Sequence, residues 1–336
     1  MSRLWFIIVL VAAVSGCRGD RKVVSMPAKD EPTKEYCIGR GTIRVPPSFI
    51  ENPVVTGIFK ESGLRAQEEA FDIVVKASGL TNTQFAREMA KRRAELIIAS
   101  TDTVDVFRLE RKLGDDATLF RVQEIDDAYV SEINLLRGTN MVSVRLESYD
   151  GSFLSAEERL VKVASNIKER TGDGNSGSSA GFCLGPIALL GNYSQEYASF
   201  LFQDGGGIHL GVDFDTYKPD ERVSLLERMS GPESLLTKFN VQHTVLRKGE
   251  RKVAGMRAQE WLGWARLSDD SDGKALKFAL ETMRERPEKA SPSISLTLDT
   301  AQPLGDGTPT KTTVPDEKAM HLWDSIVDSV QVARSN

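Results

Sequence analysis

Between Asp105 and Tyr149 the chain runs through four stretches of alternating apolar and polar residues with only short polar connections between them. Asp105 to Lys112 sets Phe107 and Leu109 against Val106 and Arg108. Leu119 to Ile125, Val130 to Arg137 and Met141 to Tyr149 follow, with Gly114-Asp115-Asp116 in the first turn. A side-chain period of two is that of a strand. Connections of a few residues join only antiparallel neighbours, because a parallel crossover takes about a dozen residues or more. The stretch is therefore an antiparallel meander. Doubly wound folds, which place a helix between successive strands, are excluded.

The remaining elements follow the same reading. Tyr197 to Phe202 and Ile208 to Phe214 flank Asp204-Gly-Gly-Gly207, a hairpin loop. Arg247-Lys-Gly-Glu250 reads as another turn and Ala254 to Leu267 as a long strand; Phe278 to Arg284 and Ser293 to Leu298 complete the set. Thr81-Asn-Thr-Gln84 has the capping-box pattern, and Phe85, Ala86, Met89 and Leu96 then share a helix face. Ser155-Ala-Glu-Glu158 has it again, ahead of Leu160, Val163, Ala164 and Ile167. Val223, Leu225, Leu226 and Met229 predict a shorter helix. The last helix is expected from near Pro315, burying Ala319, Leu322, Trp323, Ile326, Val327 and Val330.

Strands in runs with helices between the runs define the α+β class. The length of 336 residues suits two domains. Thr171 to Ala180, a stretch of glycine, serine and other small or polar residues, reads as a linker between them or a long surface loop. The expected organisation is an N-terminal domain over 36–170, the linker 171–180 and a C-terminal domain over 181–334, each an antiparallel sheet packed with helices. The first opens on Cys37-Ile38-Gly39 and the second on Cys183-Leu184-Gly185. That shared opening suggests a remote duplication.

The N-terminus carries an address. Arg3 precedes an apolar run from Leu4 to Val14, too short to span a bilayer and right for a secretory signal. Val14-Ser-Gly-Cys17 resembles a bacterial lipobox, so residues 1–16 read as a signal peptide and Cys17 as the lipidated residue. Plain secretion with an incidental cysteine is the other reading. Arg18 stands where an inner-membrane retention signal would place Asp, which implies an outer-membrane lipoprotein facing the periplasm. Residues 17–35 then form a lipid-anchored tether. Cys37 and Cys183 remain as an even pair, either bridged in an oxidising compartment or buried as two small apolar side chains.

Little in the chain is fit for catalysis. The net charge is −5 with scattered positives, against a nucleic-acid partner, and there are three histidines and three cysteines in all. Gly177-Ser-Ser179-Ala-Gly181 fits the nucleophile-elbow pattern, with His209, His243 and His321 downstream and Asp213 or Asp299 as third members. An elbow needs a strand before the serine and a helix after it, and a polar loop precedes this one. The histidines are too dispersed for a metal site. Asp115-Asp116, Asp126-Asp127 and Asp269-Asp270 sit in expected turns and read as solvated acids.

Cys37-Ile-Gly-Arg-Gly-Thr-Ile-Arg-Val-Pro-Pro47, then Gly181-Phe-Cys-Leu-Gly185, Val253-Ala-Gly-Met-Arg-Ala-Gln-Glu-Trp261 and Leu322-Trp-Asp-Ser-Ile-Val327 carry a resemblance. In order and spacing they resemble the periplasmic immunity proteins of type VI secretion lipase effectors, specifically the fourth class of Tle-cognate immunity proteins, over about residues 36–334. The resemblance implies a non-enzymatic protein that binds a phospholipase effector with both domains and keeps its active site from membrane lipid. It implies no cofactor and no small-molecule substrate. Two inter-strand loops are the interface candidates: Leu113, Gly114, Asp115 and Asp116, and Leu267, Ser268, Asp269, Asp270, Ser271, Asp272 and Gly273. The competing readings are a structural or assembly lipoprotein of the envelope, and a lipid hydrolase using Ser179.

Overall fold

The computed structural model describes residues 23–24, 32–52, 54–61, 70–102, 105–149, 151–170, 181–205, 207–217, 223–230, 242–266, 274–300, 311–312 and 314–333. The signal segment, Cys17, most of the tether and all of 171–180 lie outside these residues. The first half contains β1 (Val23–Val24), β2 (Lys34–Gly39), β3 (Gly41–Val45), β4 (Phe49–Glu51), β5 (Val55–Glu61) and β6 (Phe71–Ala77). Helix α1 (Asn82–Asp102) precedes the meander β7 (Val106–Lys112), β8 (Ala117–Ile125), β9 (Ala128–Arg137) and β10 (Asn140–Tyr149). Helix α2 (Phe153–Asn166) and β11 (Ile167–Glu169) close it.

The second half repeats the plan. It runs β12 (Phe182–Leu184), β13 (Ile187–Leu189), β14 (Tyr193–Asp204), β15 (His209–Asp215) and α3 (Leu225–Ser230). The meander β16 (His243–Val253), β17 (Met256–Arg266), β18 (Lys274–Thr282) and β19 (Ser293–Asp299) comes next. Short β20 (Lys311–Thr312), helix α4 (Asp316–Asp328) and β21 (Gln331–Val332) finish the chain.

Spatial order confirms that one topology occurs twice. In the large sheet the first half lies in the order β5-β6-β10-β9-β8-β7 and the second in the order β14-β15-β19-β18-β17-β16, and β5 pairs with β14 where the two meet. The small sheet reads β11-β13-β12-β2-β3-β21. Here the halves exchange ends: β11 of the first pairs with β13 of the second, and β21 of the second with β3 of the first. Neither sheet stops at the 171–180 boundary. Among described residues the pairing is antiparallel except for β1 with β20.

Between the two hairpins of the small sheet, Cys37 and Cys183 form a disulfide with Cα atoms 6.0 Å apart. Each cysteine precedes a glycine at a left-handed turn, Gly39 at φ +59° and Gly185 at φ +57°. A side chain at either would be strained, and a Cβ on Gly39 would also sit 2.7 Å from the Phe214 ring. The matching Cys-X-Gly openings are thus matching hairpin turns.

A single apolar core runs through both halves, between one face of the large sheet and the layer formed by the small sheet, α2 and α4. Phe59 sits at its centre, in ring contact with Phe71, Phe182 and Tyr193. Helix α4 buries Ala319, Leu322, Trp323, Ile326 and Val327, the spacing read from the sequence. Helix α1 covers the other face of the first meander, burying Phe85, Met89 and Leu96 against Phe120, Leu136 and Met141. Its capping box is present: Gln84 N–H donates to Thr81 Oγ1 at 3.2 Å and Thr81 N–H donates to Gln84 Oε1 at 2.8 Å.

Two local readings are corrected. The Ser155 capping box does not form. The N-cap of α2 is Ser152, and Ser155 Oγ, already inside the helix, donates to the Ser152 carbonyl at 2.9 Å. The Gly151 turn at φ +73° reverses the chain early enough for the helix to begin before the motif. Arg247 to Glu250 is the middle of strand β16, not a turn; the reversal comes at Ala254 and Gly255. An edge strand shows polar side chains on much of its surface, so its composition imitates a loop.

Candidate functional site

The described histidines do not converge. His209 opens β15, His243 opens β16 and His321 lies in α4. Ser179 is outside the described residues. Among described residues no group of three or more His, Cys, Asp or Glu is placed to hold a metal ion. Asp213 accepts from the Tyr197 hydroxyl at 3.3 Å, and Asp299 accepts from Lys277 at 2.9 Å.

Several buried carboxylates are held by cations, as burial of a charge requires. Glu132 accepts from Lys76, Arg92 and Asn134. Burial would raise its pKa, but Lys76 and Arg92 outweigh burial and bring it down to about 2. Glu157 of α2 takes Arg121 at 3.1 Å and Arg111 at 3.3 Å. In the second half, Asp324 of α4 takes Arg247 and Arg251, while Glu260 takes both arginines and the Trp323 Nε1–H. Each closing helix is thus bolted to its meander by an acid and a pair of arginines. Carboxylates held in this way fix structure.

Glu51 differs. Its Oε1 is buried without a hydrogen-bond partner among the described residues, close to the Gly185 turn. Burial pushes its pKa up to about 7, with Arg170 and Lys34 offsetting part of the rise. A carboxyl whose folded pKa lies above its ordinary 4.5 stabilises the fold below that value and loses the contribution as pH rises through about 7. The loss amounts to about 3 kcal/mol. Glu51→Gln is expected to equal the wild type in denaturant unfolding near pH 4 and to exceed it by about that margin at pH 8. Parallel stability curves for the two would disprove the assignment.

Of the loops singled out in the sequence, Leu113 to Asp116 form the exposed β7–β8 turn. Asp116 is engaged there, accepting from Arg137 at 2.7 Å. Leu267 to Gly273, the β17–β18 connection, lie outside the described residues. Among the described residues, the starts of β8 and β18 lie at the same end of the large sheet.

What the structure brings together is a face. Helices α1 and α3 lie at opposite ends of the large sheet on the side away from the main core, α1 over β7 to β9 and α3 against β17. No described helix covers the strands between them. There β5 turns Thr56 and Ile58 outward while Val55, Gly57 and Phe59 point to the core. Opposite, Tyr197 pairs with Ile58 and Ser199 with Thr56. On the flanks Asp72 is in register with Ile58, Asp215 with Tyr197 and Asp213 with Ser199. Ile50, on β4 beside Gln203, and Val54 extend the apolar centre. Burial raises the pKa of the Asp72 carboxyl and, with Asp213, pushes the Tyr197 phenol up to about 12, so Tyr197 stays neutral. The arrangement can grip a surface.

Sequence reasoning missed this face. The available signal was the second phase of β5, where Val54 and Ile58 are apolar although Val55 and Phe59 already supply the core.

With this geometry in hand, comparison with known proteins is specific. Residues 177–335 match the Tle cognate immunity protein 4 C-terminal domain family. The apo structure of the immunity protein TplEi of the type VI secretion system of Pseudomonas aeruginosa is 18% identical. It superposes at a TM-score of 0.66, over 92% of this chain and 100% of that one. The same protein in complex with a peptide named "L" gives 19% identity and a TM-score of 0.64, over 92% and 100% of the two chains. A chain of the Tle4–Tli4 complex gives 19% and 0.66, over 90% of this chain and 98% of that one. These structures share the fold. No curated protein matches the chain.

Proposed function

We propose, from the match of residues 177–335 to the Tle cognate immunity protein 4 C-terminal domain family, that the chain is an immunity protein against a lipase effector of type VI secretion. It acts by binding, without turnover. Both halves take part, since they share two sheets and one core. Similarity of fold to the immunity proteins TplEi and Tli4 along nine-tenths of the chain supports the same reading. The observation that carries it is the family match.

Location follows from the sequence. Cleavage before Cys17 and acylation of that residue would anchor the protein to the outer membrane on its periplasmic side. Tethering there raises its effective concentration where a phospholipase meets its substrate. The lipase effector is the partner, and neither nucleic acid nor a small-molecule substrate is part of the reading.

The test is co-purification of the mature protein with the product of the adjacent gene, followed by a phospholipase assay. The expected outcome is a stable complex and loss of lipase activity at one equivalent. Esterase activity of the protein by itself that disappears in Ser179→Ala would overturn the proposal.

A further inference from the structure

We infer that the corner of the large sheet where β1 pairs with β20, in the second half of the protein, is the surface held against the bilayer. The inference rests on the lipid-anchor reading of Cys17 and adds which side of the molecule faces the membrane. Val23 pairs with Lys311 and Val24 with Thr312, so the segment between anchor and body is fastened to the sheet part-way along its length. Cys17 precedes Val23 by six residues and Lys34, where β2 begins, by seventeen. At no more than about 3.5 Å per residue, the leash reaches about 20 Å with β1 paired and about 60 Å without it. The twelve-residue strand β14 is itself about 40 Å long. A leash of half that length stops the body from turning over, and keeps one corner next to the lipid.

The pairing has a place to form. Strand β19 pairs with β18 from Lys277 to Glu281, which leaves the start of β18 to β20, through Lys274 and Thr312. Strand β1 then covers the outer edge of β20, whose backbone groups would otherwise be open to another chain. Arg266, Lys274, Thr312 and Val24 form one row of backbone positions across β17, β18, β20 and β1. The row spans about 14 Å at about 4.8 Å per strand. The β17–β18 connection therefore begins and ends at this corner, and it carries Asp269, Asp270 and Asp272. Between Cys17 and Val23 the leash carries Arg18, Arg21 and Lys22 against one acid, Asp20. Those cations suit both the acidic connection beside β1 and the anionic headgroups around the anchor. Lys274 also pairs with Asp316, so the start of α4 belongs to the same corner. Helix α1, over β7 to β9, lies at the far end of the strand order.

Two flexible glycine-serine insertions of about twelve residues test this, one between Asp20 and Arg21 on the anchor side of β1, the other between Lys29 and Asp30 on the body side. The acylated protein is placed in phosphatidylethanolamine–phosphatidylglycerol vesicles that carry an acceptor dye. A donor dye is attached at Glu317→Cys, beside the corner, or at Arg87→Cys on α1, both exposed positions. Cys37 and Cys183 are bridged and leave the new thiol to take the dye. Melting temperature checks folding. Energy transfer is expected to be several-fold stronger from the Glu317 site than from the Arg87 site. The anchor-side insertion is expected to erase most of that difference and the body-side insertion to leave it intact. Val23→Pro with Val24→Pro, which removes the backbone donors of β1, is expected to act as the anchor-side insertion does. Equal transfer from the two sites in the wild type, or equal effects of the two insertions, would overturn the inference and leave the anchor standing. A mature protein with no acyl chain at Cys17 by mass spectrometry would remove the anchor reading and the inference with it. Lipase inhibition is a separate measurement that neither result touches.

Discussion

Replacing Cys37 and Cys183 together by serine is expected to lower the unfolding free energy by about 5 kcal/mol. The bridge closes a loop of sequence separation 146; it restricts the unfolded chain, and its removal lets that chain gain entropy and favours unfolding. Both cysteines are buried, 7% and 5% exposed, so serine also places two hydroxyls in an apolar setting. Guanidinium unfolding with and without reductant checks this. Reductant should bring the wild type down toward the double variant, short of it by the cost of the two buried hydroxyls, and leave the variant unmoved. A difference below about 1 kcal/mol would show that the hairpins are held by their neighbours and not by the bridge.

Arg40→Ala is expected to cost about 3–5 kcal/mol. Arg40 sits in the β2–β3 turn and meets Glu196 of β14 through two N–H···O contacts of 2.6 Å each. Glu196 is fully buried. Truncating the arginine leaves a carboxylate in the core with, among the described residues, Lys289 at 3.5 Å as its cation. The contact is also one of the few side-chain bridges from the first half to the second. The paired replacement Arg40→Met with Glu196→Leu removes both charges and is expected to recover most of the loss, since a buried ion pair is worth little against well-packed apolar groups. Denaturant midpoints of the single and double variants decide it: additive losses would mean that the two residues act independently.

The sequence was most informative where one physical pattern dominated. The meander from Val106 to Tyr149 alternates, and its strands lie where alternation puts them. The stripe of α4 and the capping box at Thr81 were equally plain. Ser155 failed because a capping signature says what can start a helix, not what has started it already. Arg247 to Glu250 failed because solvent exposure makes an edge strand look like a turn. The sharing of both sheets by the two halves left no local trace, since strand pairing across more than a hundred residues depends on where the whole chain folds back. Of the candidate site, the Leu113 to Asp116 turn could be located. The apolar face was hidden in the second phase of β5.

The exchanged ends set an order of events. Strand β3 is flanked on its outer side by Gln331 and Val332, so a ribosome must deliver almost the entire chain before the first hairpin gains its last neighbour. Until then that hairpin waits with an open edge. The first half cannot lock as a finished unit during synthesis, as N-terminal domains commonly do, and folding is held to the slow regime of long-range contacts.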